Sequence, residues 1–156
     1  MIKVITAPQP FFDWKGGIFL GGTIDNGNSI DWQDQFINSI NEKDNYYDGF
    51  KHVKIINPRK KNWNGSIEQS IESAELFQQM SWEKEGLERA DSILFNFLPA
   101  SKSPITLMEL GLYAISGKCI VICPKEFYRA GNVEFVCNNF SIPLYRTMEE
   151  YLKTIL

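Results

Sequence analysis

With 156 residues and 44% hydrophobic side chains, the chain has the size and core content of one domain, and a two-domain architecture is not expected. Its 16 Lys+Arg against 19 Asp+Glu leave a net charge of -3, with no basic run longer than Arg59-Lys60-Lys61, which disfavours long nucleic acid but leaves a mononucleotide open. The longest apolar runs, such as Cys119 to Cys123, fall far short of the roughly 20 residues of a membrane span, and the N-terminus lacks a signal-peptide stretch, so a cytoplasmic protein with no membrane partner is expected.

In chain order, Ile2 to Thr6 alternates like a strand until Pro8 and Pro10 stop it, which places it at a sheet edge or in a hairpin with the first central strand. That central strand is Gly17 to Gly21, an apolar run that ends in the tight turn Gly21-Gly22-Thr23. Ser29 to Asn41 sets Ile30, Gln33, Phe36, Ile37 and Ile40 at helical spacing, with Asp31 in the first turn, where it suits the helix dipole. His52 to Asn57 is the next strand, stopped by Pro58 and followed by a polar loop. Ser66 to Ala90 lacks proline and predicts a long helix, with a break near Met80-Ser81 and an N-terminal part bending over the strand ends.

Ser92 to Leu98 is nearly all apolar, as in a parallel strand buried on both faces. Ser103-Pro104 opens a helix, with serine as N-cap and proline in the first turn; the helix runs from Ile105 to Ser116 and ends at Gly117. Lys118 to Cys123, Asn132 to Asn139, Ile142 to Tyr145 and Thr147 to Ile155 continue as strand, helix, strand and helix, the last capped by Thr147. This alternation predicts an α/β, Rossmann-like three-layer sandwich around a five-stranded, mostly parallel sheet, with ligands beyond the C-terminal ends of the strands. Gly21-Gly22-Thr23, Pro58-Arg59, Pro99 to Ser103 and Pro124 to Gly131 all fall at that end.

The three cysteines and single histidine, His52, are too few and too scattered for a zinc site or a Cys-His or Ser-His-Asp enzyme, so neither a metal nor an organic cofactor is expected. The cysteines read as core residues. Carboxylates remain. Glu109 stands in an otherwise apolar helix near its N-terminus; it is either a residue of the exposed stripe or a nucleophile kept ionised by that N-terminus. Glu83 sits among charged neighbours, so it is either on a solvated face or the second carboxylate that glycosidic chemistry needs to manage a proton. Gly21, Gly22 and Thr23 serve either a tight turn or a backbone cradle for a phosphate or sugar. Ser103 caps its helix, and the same N-terminus would accept a phosphate or a hydroxyl. Phe11, Phe12, Trp14, Trp32 and Trp63 are read as core or interface before base-stacking residues.

IFLGGT at Ile18 to Thr23, WEKEGLERADSILF at Trp82 to Phe95, SPITLMELGLYAISGK at Ser103 to Lys118 and FYRAGNVEFVC at Phe127 to Cys137 together resemble the nucleoside 2-deoxyribosyltransferase family, closest to its deoxyribosyltransferase-like branch. The resemblance implies a flavodoxin-like fold and a covalent glycosyl-enzyme formed on the glutamate of M-E-L-G, here Glu109 preceded by Met108. Glu83, eight residues before Asp91, takes the place of the assisting aspartate. Six residues before the nucleophile, Ser103 stands where the related N-glycosidases of nucleoside 5'-monophosphates carry a phosphate-binding serine, and where transferases carry aspartate. A 5'-phosphate would be repelled by aspartate and accepted by serine. Phe19 replaces a tyrosine that orients the nucleophile and cannot donate its hydrogen bond. Asn132 resembles an asparagine that crosses a subunit interface, which implies a homo-oligomer, and Arg59 is a candidate phosphate or base contact.

The expected activity is cleavage or transfer of the N-glycosidic bond of a nucleoside or nucleoside 5'-monophosphate, a small-molecule partner. Two alternatives stay open: a glycohydrolase of NAD-like dinucleotides, and a non-catalytic nucleotide-binding or sensing module motivated by the phenylalanine and the altered aspartate.

Overall fold

The computed structural model of the chain describes residues 2–44 and 53–155 and turns the apolar runs of the sequence into six short strands. These are β1 (Lys3–Thr6), β2 (Ile18–Gly22), β3 (Lys54–Asn57), β4 (Ser92–Asn96), β5 (Cys119–Ile122) and β6 (Leu144–Tyr145). They form one sheet in the order β1-β3-β2-β4-β5-β6, with every pairing parallel. Parallel neighbours need crossovers, which α1 (Trp32–Asp44), α2 (Ala74–Arg89), α3 (Pro104–Tyr113) and α4 (Ala130–Asn139) supply, and α5 (Met148–Ile155) closes the chain.

Successive strand residues face opposite sides, and both sides are apolar. Phe19, Ile56, Ile93, Phe95 and Val121 turn to one face, under Trp82 and Leu87 of α2, Leu110 of α3 and Val133 and Cys137 of α4. Leu20, Ile55, Leu94 and Ile122 turn to the other, under Trp32, Phe36 and Ile40 of α1 and Tyr151 of α5. Each of the larger side chains contributes about 1.5–3 kcal/mol by leaving water. The result is a three-layer sandwich. Apart from β1, the strand order is that of the flavodoxin-like fold, with winding that reverses between β2 and β4. Among the described residues no helix is long and apolar enough to cross a membrane.

Several boundaries differ from the sequence reading. The sheet has six strands rather than five, because β1 joins as a parallel edge beside β3 instead of forming a hairpin with β2. Helix α1 starts at Trp32: the Asp31 carboxylate accepts from the Asp34 N–H at 3.0 Å, so Asp31 caps the helix from outside its first turn and Ile30 is exposed. Residues 66–73 are turns, since Asn64, Ser70 and Ser73 accept backbone N–H groups two or three residues on and so compete with helical bonding. Helix α2 therefore begins after its Ser73 cap and runs unbroken through Met80 and Ser81. His52 lies outside the described residues. The three cysteines are free and buried in the core. Helix α3 tightens into a 3-10 turn at Ala114–Ser116 and stops at Gly117, whose φ of 73° suits glycine.

Candidate active site

The winding reverses between β2 and β4, and in open parallel sheets ligands sit beyond the C-terminal strand ends at such a point. There the chain comes very close to itself. A Cβ on Gly22, at φ +150°, would stand 2.5 Å from the Asn96 carbonyl oxygen and 2.8 Å from the Trp32 ring; one on Gly21 would meet the Phe95 ring at 2.7 Å. Both glycines are thus required by packing, and they lie in β2, paired with Phe95 and Asn96. The N–H of Thr23 is taken by the Asn96 carbonyl at 3.3 Å, and its carbonyl accepts from the Trp32 indole at 3.0 Å. Thr23 therefore offers no free main-chain donor as a cradle.

Helices α2 and α3 lie on the same face of the sheet and carry Glu83 and Glu109. Gly86 lets α2 settle onto the sheet one turn beyond Glu83, since a Cβ there would stand 2.9 Å from the Phe19 ring and 3.1 Å from Ile56. Both carboxyls are partly buried. Loss of hydration raises Glu83, opposed by the donor group of Gln79 and the charge of Lys60. Glu109 is raised to about 8, first by loss of hydration and then by the negative charge of Glu83. The two glutamates are therefore within electrostatic reach of each other.

This corrects the expectation that the helix N-terminus keeps Glu109 ionised. Glu109 is in the second turn of α3, where the dipole has faded, and desolvation prevails. At neutral pH the free pair retains a proton. Gln79, on the preceding turn, donates to Glu83 (2.5 Å) and to the Pro58 carbonyl (3.4 Å), tying the carboxylate to the loop after β3. Among the described residues no hydrogen bond fixes the Glu109 carboxyl, in keeping with phenylalanine at position 19.

At the N-terminus of α3, Ser103 adopts the left-handed conformation (φ 47°) and, though it stands at the cap position, its side chain does not cap the helix. Its hydroxyl instead meets those of Thr23 and Ser101, the latter at 3.0 Å, and Ser101 donates to Asp25 at 3.2 Å. Asp25 belongs to the loop after β2. Arg59 grips this loop: its guanidinium donates to the carbonyls of Gly27 (3.2 Å), Ser29 (2.7 Å) and Ile30 (3.1 Å) and to the Ser29 hydroxyl (3.2 Å), and pairs with Asp31 at 3.4 Å. Trp63 packs on Gly27 from the same side.

The structure thus brings Glu83 within electrostatic reach of Glu109 and Thr23 into contact with Ser103, and sets the other candidates apart from these two clusters. Phe19 is wholly buried against Gly86, so it supports the site from below. Arg59 is spent on the loop and has little left for a phosphate or base. Met108 is exposed on α3 with Ile105, Leu112 and Ile115. Asn132 is exposed on α4 and lines a groove with Leu107, Gly111, Arg129 and Val136, which Glu109 does not line. Of the aromatics, Phe11 and Trp32 are core residues and Phe12 is exposed. Sequence reasoning missed Asp25, Ser101 and Gln79. The spacing Gln79-x-x-x-Glu83 was a signal for the last, whereas nothing local linked Asp25 to a serine 76 residues away.

The chain matches the family described as "Nucleoside 2-deoxyribosyltransferase like" over residues 15–127, a span that holds β2 through β5 and both glutamates. No curated protein matches it.

Proposed function

Since the chain belongs to the nucleoside 2-deoxyribosyltransferase-like family, we propose that it is an enzyme that cleaves or transfers the N-glycosidic bond of a nucleoside or nucleoside 5'-monophosphate. The observation that carries this reading is the pair Glu83 and Glu109, carried by α2 and α3 on one face of the sheet, both raised by burial and Glu109 also by the negative charge of Glu83. A singly protonated pair holds both reactants of a double displacement.

Glu109 is the nucleophile. Its carboxylate oxygen attacks the anomeric carbon as the bond to the base breaks, and the positive charge that develops on the sugar favours the ionised form of Glu109 at that moment. In the free pair the proton sits on Glu109 under the negative charge of Glu83; as the sugar's positive charge develops it passes to Glu83, held by its hydrogen bond from Gln79, and on to the departing base. A second base or water then attacks the glycosyl-enzyme, with Glu83 taking the proton back. The exposed stripe Ile105, Met108, Leu112 and Ile115, beside the exposed Asn132, supports a homo-oligomer in which Asn132 serves a neighbouring pocket.

The test is base release from deoxyribo- and ribonucleosides and their 5'-monophosphates, with and without a second free base. Release without acceptor that Glu109→Gln abolishes identifies a hydrolase, and exchange only with added base identifies a transferase. Turnover that survives Glu109→Gln refutes the mechanism, and a silent wild type that still binds nucleotides points to a sensing module.

A further inference from the structure

The hydroxyl cluster at the start of α3 has a fixed direction. An ionised carboxylate only accepts, so the single proton of Ser101 goes to Asp25 across 3.2 Å. The 3.0 Å contact between Ser101 and Ser103 then uses the proton of Ser103, and the contact between Ser103 and Thr23 uses that of Thr23. All three hydroxyl protons run one way, toward Asp25. The main-chain donors nearby are committed as well: the Ser103 N–H goes to the Ser101 hydroxyl at 3.2 Å, the Thr23 N–H goes to Asn96, and Pro104 has none.

Placement matters as much as direction. Thr23, Ser101 and Ser103 are 2%, 7% and 4% exposed, whereas Asp25 is exposed and stands in front of them. What this wall shows a ligand is a carboxylate and the lone pairs behind it. Its loop is held by Arg59, so the guanidinium that would favour an anion here is turned to main-chain carbonyls instead. Lys102, between the two serines, is the nearest cation in sequence, and it is exposed.

We propose that Asp25 is a specificity residue that makes this wall accept the hydroxyl of an unphosphorylated nucleoside and reject a 5'-phosphate. The inference rests on Glu109 and Glu83 being the glycosidic pair, and it reverses what Ser103 alone suggested. The serine has the right chemistry for a phosphate, but its proton is spent.

The experiment compares kcat/KM for a nucleoside and its 5'-monophosphate in wild type, Asp25→Asn and Ser101→Ala. Wild type prefers the nucleoside by about ten-fold or more. Asp25→Asn lowers the nucleoside rate and raises that of the monophosphate, and Ser101→Ala, which frees the Ser103 proton while keeping the charge, moves the ratio the same way by less. Preference of the wild type for the monophosphate, or a ratio unmoved by Asp25→Asn, overturns the proposal. Calorimetric titration of Glu109→Gln with the same two ligands separates this from the reaction itself. Failure of the wild type to release base from either ligand sinks the glycosidic reading, while tighter nucleoside binding in the titration still upholds Asp25; binding of neither ligand overturns it.

Discussion

Replacing Glu109 by glutamine should make the protein more stable at alkaline pH while it removes activity. The folded protein raises this carboxyl from its ordinary value of 4.5 to about 8, so between those limits the native state holds a proton that the unfolded chain has lost. The stabilisation from that proton is complete below about 4.5 and disappears as pH rises through about 8. At about 1.4 kcal/mol for each tenfold of proton affinity, the ceiling is near 5 kcal/mol. Glu109 keeps some contact with water and part of its shift comes from Glu83, which reduces the expected loss to about 2 kcal/mol. For a chain of this size that is about 4–8 °C in Tm. Urea unfolding of wild type and Glu109→Gln at steps from pH 5 to pH 9 measures it. The wild type should fall relative to the variant by that amount, with the two curves separating between about pH 4.5 and 8 and running parallel above it. Curves parallel throughout would mean that Glu109 is hydrated in the folded protein and would refute the account of a buried, coupled pair.

The same proton governs turnover: kcat/KM should fall on the alkaline side with a midpoint near 8 as the free pair loses its last proton, and Glu83→Gln, which removes the charge that raises Glu109, should lower the pKa of Glu109. A pH–rate profile checks this, and a flat alkaline limb would contradict it. Arg59→Ala should leave the carbonyls of Gly27, Ser29 and Ile30 without donors and cost about 2–4 kcal/mol in urea unfolding. Nucleoside KM should rise with it as the Asp25 loop loosens, whereas a loss under about 0.5 kcal/mol would show that the guanidinium does not hold the loop.

Much of the architecture was legible because it rests on local periodicity. The two-faced apolar runs around Leu20, Ile55 and Leu94 dictate a covered parallel sheet, and Gly117 marks a helix end by its backbone alone. Glu109 stood out because a carboxylate in an otherwise apolar helix needed a reason, whereas Glu83, among charged neighbours, stood out only by its place before Asp91. What escaped depends on partners distant in sequence or on competition between close alternatives. Residues 66–73 have helical composition, yet the side chains of Asn64, Ser70 and Ser73 capture backbone donors there. Phe19 is buried against α2, which only the closeness of Gly86 reveals. Arg59 is the plainest case: an arginine after a parallel strand suggests an anion, and only the path of the loop after β2 shows that its donors are already used.

The grip of Arg59 falls mostly on main-chain oxygens, and these are present whatever residues occupy the loop. The path of residues 25–31 is therefore only weakly tied to their identity, apart from Gly27 under Trp63, the serine and aspartate that touch the guanidinium directly, and Asp25 and Asn26 at φ 48° and 54°. Exposed Asn28, with an ordinary right-handed backbone, can be exchanged without redrawing that path, and Asp25 and Asn26 can be exchanged among the residues that tolerate a left-handed one. The protein thus has a faceplate that can be altered in front of a fixed engine: new preferences can be written onto the loop while the helices bearing the two glutamates stay as they are.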